Sequence, residues 1–352
     1  MTRNSIHTVL DRVYQDELPN VSDLEYLLNL SNHEDIQLLY DYADNVRKIY
    51  CGDEIFVRGI VEFSSYCTRT CMYCGLNKYN RTLPRYRMTN TEIMDCVDQI
   101  VSAGIKTVVL QSGQDDELDT DEFTKLITEI KQTYDIAITL SLGEYDYELC
   151  RDWQEAGADR YLLKIETSDK SLYGELHPEM SYDLRLKCSR NLKSLGFQNG
   201  SGCIVGLKNQ TINSLANDIL FFKKEDFDMI GIGVFIAHDK TPLKNHPCGN
   251  IELALKMIAL TRIVTKNTHM PAATSMGNIG DSDMRFKALQ TGANVIMLNF
   301  TPAKYKKLYS IYPAKESSSN YMDTLEKTIE QMNRKLDFSI GDSLKLKQKT
   351  RI

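Results

Sequence analysis

Three cysteines, Cys67, Cys71 and Cys74, lie within FSSYCTRTCMYCGL, directly after the apolar run IFVRGIVEF. Their CxxxCxxC spacing suits one iron–sulfur cluster, yet three thiolates are one short of the four that normally complete a four-iron cube. The shortfall leaves one iron with an open position, as in metal centres that react rather than only hold structure. Such an iron, on a loop at a strand end, can bind and reduce a small molecule. A zinc site would want a fourth ligand close by, and no histidine or further cysteine falls between Cys74 and Cys96. A disulfide framework suits poorly a chain of 352 residues with nine cysteines, an odd number, and no secretory segment in MTRNSIHTVLDRVYQDE. The other six cysteines (Cys51, Cys96, Cys150, Cys188, Cys203, Cys248) stand singly and read as core or surface thiols.

The bulk properties narrow the setting. Apolar residues make up 42% of the chain, enough to bury a real core, so disorder is excluded. A formal charge of −6 argues against nucleic acid as a partner. No apolar run reaches the ~20 residues of a membrane span, so no membrane partner is expected. A reduced cytoplasmic location follows, which an exposed cluster would need.

Elements must carry the cysteines to a usable place. Two helical patterns come first, over 21–30 and 33–50, the second with Ile36, Leu39, Tyr40, Ala43 and Val46 at three- and four-residue spacing. Eight short apolar runs then predict strands at 55–63, 106–111, 136–142, 160–166, 201–206, 229–236, 271–276 and 294–300. Between them the periodicity predicts helices at 89–103, 120–133, 145–156, 182–195, 211–225, 251–265 and 282–291. Thr89 and Glu92 have capping-box spacing, and glycines close helices before IKTVVLQ, ADRYLLK and ANVIMLN. Strands alternating with helices pair in parallel, so the fold class is α/β: a TIM-type (β/α)8 barrel, with an open doubly wound sheet as the alternative. The expected organisation is a helical segment over 1–50, the barrel over 51–300, and a loop and helix extension over 301–352 that closes it, with a helix near 321–335.

In a barrel of this kind the working residues sit at the C-terminal ends of strands. The first strand delivers the cysteines, with Tyr73 between the last two as either an adenine-facing residue or packing. The second ends in Gln111-Ser112-Gly113, a small turn with donors that could receive an amino-acid group. The third ends in TLSLGE, with Ser141. In the fourth, Lys164 and Glu166 share a face by the period of two, either as a mutual salt bridge at the rim or as contacts to ligand charges. Arg185 offers a fork for a carboxylate or a solvated helix position. His238 reads as a loop histidine. Thr274 and Ser275 are adjacent hydroxyls that suit an anion, or equally cap a helix.

The cysteine motif resembles the radical S-adenosylmethionine (SAM) superfamily. Taken with RYRMT, VVLQSGQD, TLSLGE, AGADRYLLKIET, VGLKNQT, FDMIGIGVFI, LALKMIALTR, GANVIMLNFTP and LYSIYP, the chain from about residue 20 to about residue 313 resembles the [FeFe]-hydrogenase maturase HydE family. Methylornithine synthase and, further off, biotin synthase share less of this pattern. The resemblance implies that Cys67, Cys71 and Cys74 ligate one [4Fe-4S] cluster, with Glu166, Arg185 and Gln111 to Gly113 at SAM. Thr274 and Ser275 would line the substrate or anion pocket, and Tyr309 and Tyr312 would close over it. Two departures stand out. Lys164-Ile165 replaces the arginine and histidine common before the Glu-Thr pair, making any anion contact less directional. No cysteine follows Cys248, and Ser317 to Ser319 stand about where some relatives bind a second cluster.

The implied chemistry is reductive cleavage of SAM to methionine and a 5′-deoxyadenosyl radical, which the protein positions and shields. The implied substrate is a cysteine-bound iron carbonyl cyanide precursor of the hydrogenase diiron centre. Implied partners are other maturation proteins and an electron donor such as ferredoxin or flavodoxin. Two rivals differ in class: a methylornithine synthase-like mutase, which an acidic residue inside the barrel would favour, and a non-enzymatic iron–sulfur carrier without a SAM pocket.

Overall fold

Apolar strand runs separated by amphipathic helices form one curled parallel sheet. In the computed structural model, which describes residues 6–279, 283–313 and 321–349, seven strands follow the expected positions. They are β1 (Glu54–Ser64), β2 (Thr107–Ser112), β3 (Ala137–Ser141), β4 (Arg160–Leu162), β5 (Gln198–Val205), β6 (Met229–Val234) and β7 (Val295–Asn299). Their order across the sheet is β6-β5-β4-β3-β2-β1-β7, every pair parallel. A short β8 (Lys335–Asp337) adds to the start of β1. The nine helices expected before residue 300 are present, several shorter than expected, as with Arg285–Gln290 within 282–291.

The expected strand at 271–276 is a correction. The gap between β6 and β7 is bridged only by single pairings, Met229 with His269 and Pro271 with Val295. Pro271 has no N–H to extend a ladder, and the chain turns into a 3-10 helix at Thr274–Gly277. The result is an incomplete barrel whose seam is a loop rather than an eighth strand. β4 is also cut short, after Leu162 rather than at Glu166, where Glu166 adopts a left-handed φ of 66°. Helices at Ile6–Gln15, Lys170–Leu176, Ala303–Lys306 and Leu344–Lys349 were not expected, and the helix placed at 321–335 ends at Gln331. Ser317 to Ser319 lie outside the described residues.

The two faces of β1 define inside and outside. Phe63 stacks on Phe123 of the helix Thr120–Thr133, and a Cβ on Gly59 would meet Ile100 of the helix Asn90–Ser102, so odd positions face the helices. Even positions face the barrel: the Phe56 ring meets His269, and Arg58 reaches Met229 Sδ across the interior at 3.0 Å. Glu62 lies on that same inner face, and a bulge after it turns Ser64 toward Asp115, 2.7 Å away.

The segment after β8 seals the N-terminal end of the barrel. Arg160, fully buried, donates to Ile340 O at 2.8 Å and Asp342 Oδ1 at 3.0 Å. Thr107 Oγ1 donates to the same Ile340 carbonyl, and Ser343 N to Gln198 Oε1. Nearly every polar group of this floor is matched, which leaves the opposite end for ligands.

Candidate active site

The cysteine loop is held by backbone hydrogen bonds to three separate elements. Thr68 N bonds Gln114 O at 3.0 Å, Met72 N bonds Leu176 O at 3.0 Å, and Gly75 N bonds Ile311 O at 2.8 Å. Gly113 must be glycine here, because a Cβ would lie 2.2 Å from Tyr66 O and 2.7 Å from Cys67 Cβ. All three thiols are partly accessible and unpaired. Burial pushes the Cys71 thiol up to about 12, with the neighbouring Cys67 adding to it, and pushes Cys74 up further, with Cys71 and Cys67 again contributing. Burial beside one another makes Cys71 and Cys74 harder to ionise, a cost that a bound metal cluster would remove, since it takes the thiols as thiolates. The donor set therefore fits a cluster with three protein ligands and one open iron.

Tyr73 is fixed by its side chain: its hydroxyl donates to His177 Nε2 at 2.7 Å, while His177 Nδ1 donates to Tyr173 O at 2.9 Å. Burial lowers the His177 pKa to about 3, so the ring is neutral and can accept from the phenol. The side chain of Tyr73 is thus held by packing and this hydrogen bond. Arg185 is buried, not solvated. It pairs with Glu144 at 2.9 Å, and Glu144 also meets Arg69 at 3.5 Å. Lys164 and Glu166 form a salt bridge at 2.8 Å.

Four glycines on adjoining strands, Gly200 and Gly202 of β5 with Gly231 and Gly233 of β6, hollow out the wall opposite β1. A Cβ on Gly202 would meet Gly231 O and the Lys164 stem, and one on Gly233 would approach Ser275 Oγ and Lys164 Nζ. Lys164 therefore lies across a trough that only glycines provide. Gln111 Nε2 donates to Tyr309 OH at 3.2 Å, and Tyr312 hydrogen-bonds Thr274, so both tyrosines cover the mouth. Ser275 Oγ accepts from Val234 N at 3.1 Å, and Ser112 Oγ donates to Gly113 O, which commits both hydroxyls to backbone. Ser141 sits one register step from Gln111 on the same face. His238, as expected of a loop histidine, braces Ser310 at 3.1 Å.

Sequence reasoning missed three inner residues. Arg58 is buried with Nε and Nη2 unpartnered, and Thr139 Oγ1 is buried without a partner. Arg160 lies beyond Arg58 and depresses its pKa further, after burial itself. Unspent cationic and hydroxyl donors in the barrel interior can receive an anion. Glu62, above Arg58 on β1, accepts from Asn299 Nδ2 at 3.0 Å, and burial raises its pKa to about 7. The signal was present in IFVRGIVEF: two charges at a spacing of four in an apolar strand necessarily share one face.

The comparisons agree with this geometry. Residues 61–222 match the Radical SAM superfamily, which covers the cysteine loop and the first half of the barrel. This defines the class: a radical SAM enzyme, using a [4Fe-4S] cluster and SAM. The [FeFe] hydrogenase maturase subunit HydE of Thermotoga maritima is 44% identical over 316 residues, which cover 89% of this chain and 90% of that protein. The chain belongs to the HydE family. A 3-methylornithine synthase of Methanosarcina acetivorans is 29% identical over 276 residues, covering 78% and 77% of the two chains. The crystal structure of a methylornithine synthase superposes with a TM-score of 0.82 at 26% identity, covering 94% of this chain and 97% of that one. The reading as a passive carrier gives way to an enzyme. No helix among the described residues is long and apolar enough to cross a membrane.

Proposed function

We propose that Cys67, Cys71 and Cys74 hold the cluster and that Gln111, Ser112, Gly113, Ser141, Glu166 and Arg185 surround SAM, in an enzyme of [FeFe]-hydrogenase diiron-centre assembly. The substrate on this reading is a cysteine-bound iron carbonyl cyanide precursor. The observation that carries it is 44% identity to a HydE over 89% of the chain. When bound, the reduced cluster and SAM supply a 5′-deoxyadenosyl radical through one-electron cleavage of a carbon–sulfur bond.

The chain's own residues bind, orient and exclude water. Glu166, held near the cysteines by its left-handed backbone, offers a carboxylate to the SAM ammonium or ribose once it releases Lys164. Lys164 is then free to meet a substrate anion over the glycine trough. Arg185 is anchored by Glu144 and keeps positive charge beside the thiol of Cys71, whose pKa it lowers. Tyr309 and Tyr312, tied to Gln111 and Thr274, cap the chamber against solvent.

The test is a hydrogenase maturation mixture that lacks only HydE. Adding the reconstituted wild-type protein should yield active hydrogenase, and adding Cys71→Ala should yield none. A protein that cleaves SAM but never activates the hydrogenase would favour the second reading, a methylornithine synthase-like mutase. One observation supports that alternative: Glu62 is an acidic residue on the inner face of the barrel.

A further inference from the structure

The inner face of β1 carries two charges of opposite sign, and neither makes an ion pair among the described residues. Arg58 has one polar contact, Met229 Sδ, and two guanidinium nitrogens without a partner, while Asp342, paired with Arg160, acts on it from a distance. Glu62 makes no ion pair either, and its carboxylate is contacted by the neutral Asn299 and Thr301. The cation that acts on it from a distance, Lys306, donates to Asn299 O at 3.0 Å. The other charges of the interior are matched: Lys164 by Glu166, Arg160 by Asp342 and Arg185 by Glu144.

At about 3.3 Å per residue the two backbone positions are roughly 13 Å apart, and the arginine side chain runs across the barrel to Met229, near Arg160 and Asp342. An unpaired charge inside a protein is costly, and two of opposite sign that do not reach each other are costly twice. The expense is understandable where a ligand brings the missing partners.

We infer that Glu62 is a specificity-determining residue, accepting a cationic nitrogen of the substrate whose anionic end Lys164 meets. Three features of its surroundings fit this role. Glu62 pairs in register with Gln111 of β2, so the carboxylate and the SAM-side turn share one layer of the barrel. Tyr309, bonded to Gln111, feels the charge of Glu62 and lids the same layer. The wall opposite is reduced to glycine at Gly202 and Gly233, and Lys164 crosses it. The substrate class is therefore bipolar, an amino-acid-like molecule rather than a simple anion. This rests on the radical SAM reading, and the test below separates the two.

The experiment is an anaerobic calorimetric titration of the cluster-loaded protein saturated with SAM. The probes are S-methyl-L-cysteine and 3-(methylthio)propionate, which differ only in the α-ammonium group. Wild type should bind the amine-bearing probe at least about tenfold more tightly, as a charge-assisted hydrogen bond implies. Glu62→Gln should remove that preference while leaving the affinity for 3-(methylthio)propionate within about twofold. Glu62→Asp should restore part of it. Equal affinity for the two probes in wild type, equal loss of both in Glu62→Gln, or no binding of either below about 10 mM would overturn the inference. Failure of the same preparation to cleave SAM would instead count against the parent reading, whatever the probes do.

Discussion

The two ends of the barrel treat buried polar groups in opposite ways. At the floor, Arg160, Thr107, Gln198 and His269 find partners in the segment Ile340–Ser343. Toward the mouth, Glu62 makes no ion pair among the described residues, Glu166 sits in a left-handed conformation, and the cysteine thiols lie together with the pKa values of Cys71 and Cys74 raised. Saturated polarity at one end is architecture. Unsaturated polarity at the other marks where cofactor and substrate complete the structure.

Paired substitutions can break this contrast. Arg160→Met removes one member of a buried, fully bonded set and should cost about 3 kcal/mol in urea unfolding, while what folds still cleaves SAM. Arg185→Leu leaves Glu144 with only its longer contact to Arg69 and should cost a comparable ~3 kcal/mol, but here SAM binding should fall with it. If SAM binding survives in Arg185→Leu and fails in Arg160→Met, the division between floor and mouth is wrong.

A smaller effect is expected from Gly202→Ala. Its methyl group would press on Gly231 O and the Lys164 stem, at a cost of about 1–3 kcal/mol. Lys164 should be displaced, so substrate turnover should drop by more than SAM binding does. Equal losses would mean that the trough serves packing alone.

The mildest prediction concerns pH. With its pKa raised to about 7, Glu62 is largely neutral below that value and ionised above it. Affinity for S-methyl-L-cysteine should therefore rise as pH climbs through about 7, while the amine remains protonated. The other titratable groups facing this layer, Tyr86, Tyr309 and Tyr312, have pKa values raised by burial and do not ionise in that range, and the cation that acts on Glu62 is Lys306. The profile should flatten in Glu62→Gln.

Much of this was legible in the sequence because period and turn chemistry are local. Seven strands, nine helices and the cysteine loop followed from apolar runs, caps and glycine stops, and the Lys164–Glu166 pair followed from alternation. Two things were not local. The seam at Pro271 depends on which strands curl to meet there, and a run such as PAATSM carries no mark of it. The floor depends on residues 334–343 returning beneath strands some 180 to 280 positions earlier in the chain, as in the contacts of Arg160 with Ile340 and of Arg334 with Glu54. Arg58 and Glu62 were overlooked for a different reason: an apolar run was read as wholly core, although its charges fell on alternate positions of one face.

The most direct measurement is 5′-deoxyadenosine released from SAM by the reconstituted, dithionite-reduced protein, with Cys71→Ala alongside. The account predicts product from wild type and none from the variant, which should also bind less iron. Product persisting in Cys71→Ala, or absent from a wild-type protein that holds a reducible cluster and binds SAM, would contradict the assignment of these three cysteines to the reacting centre.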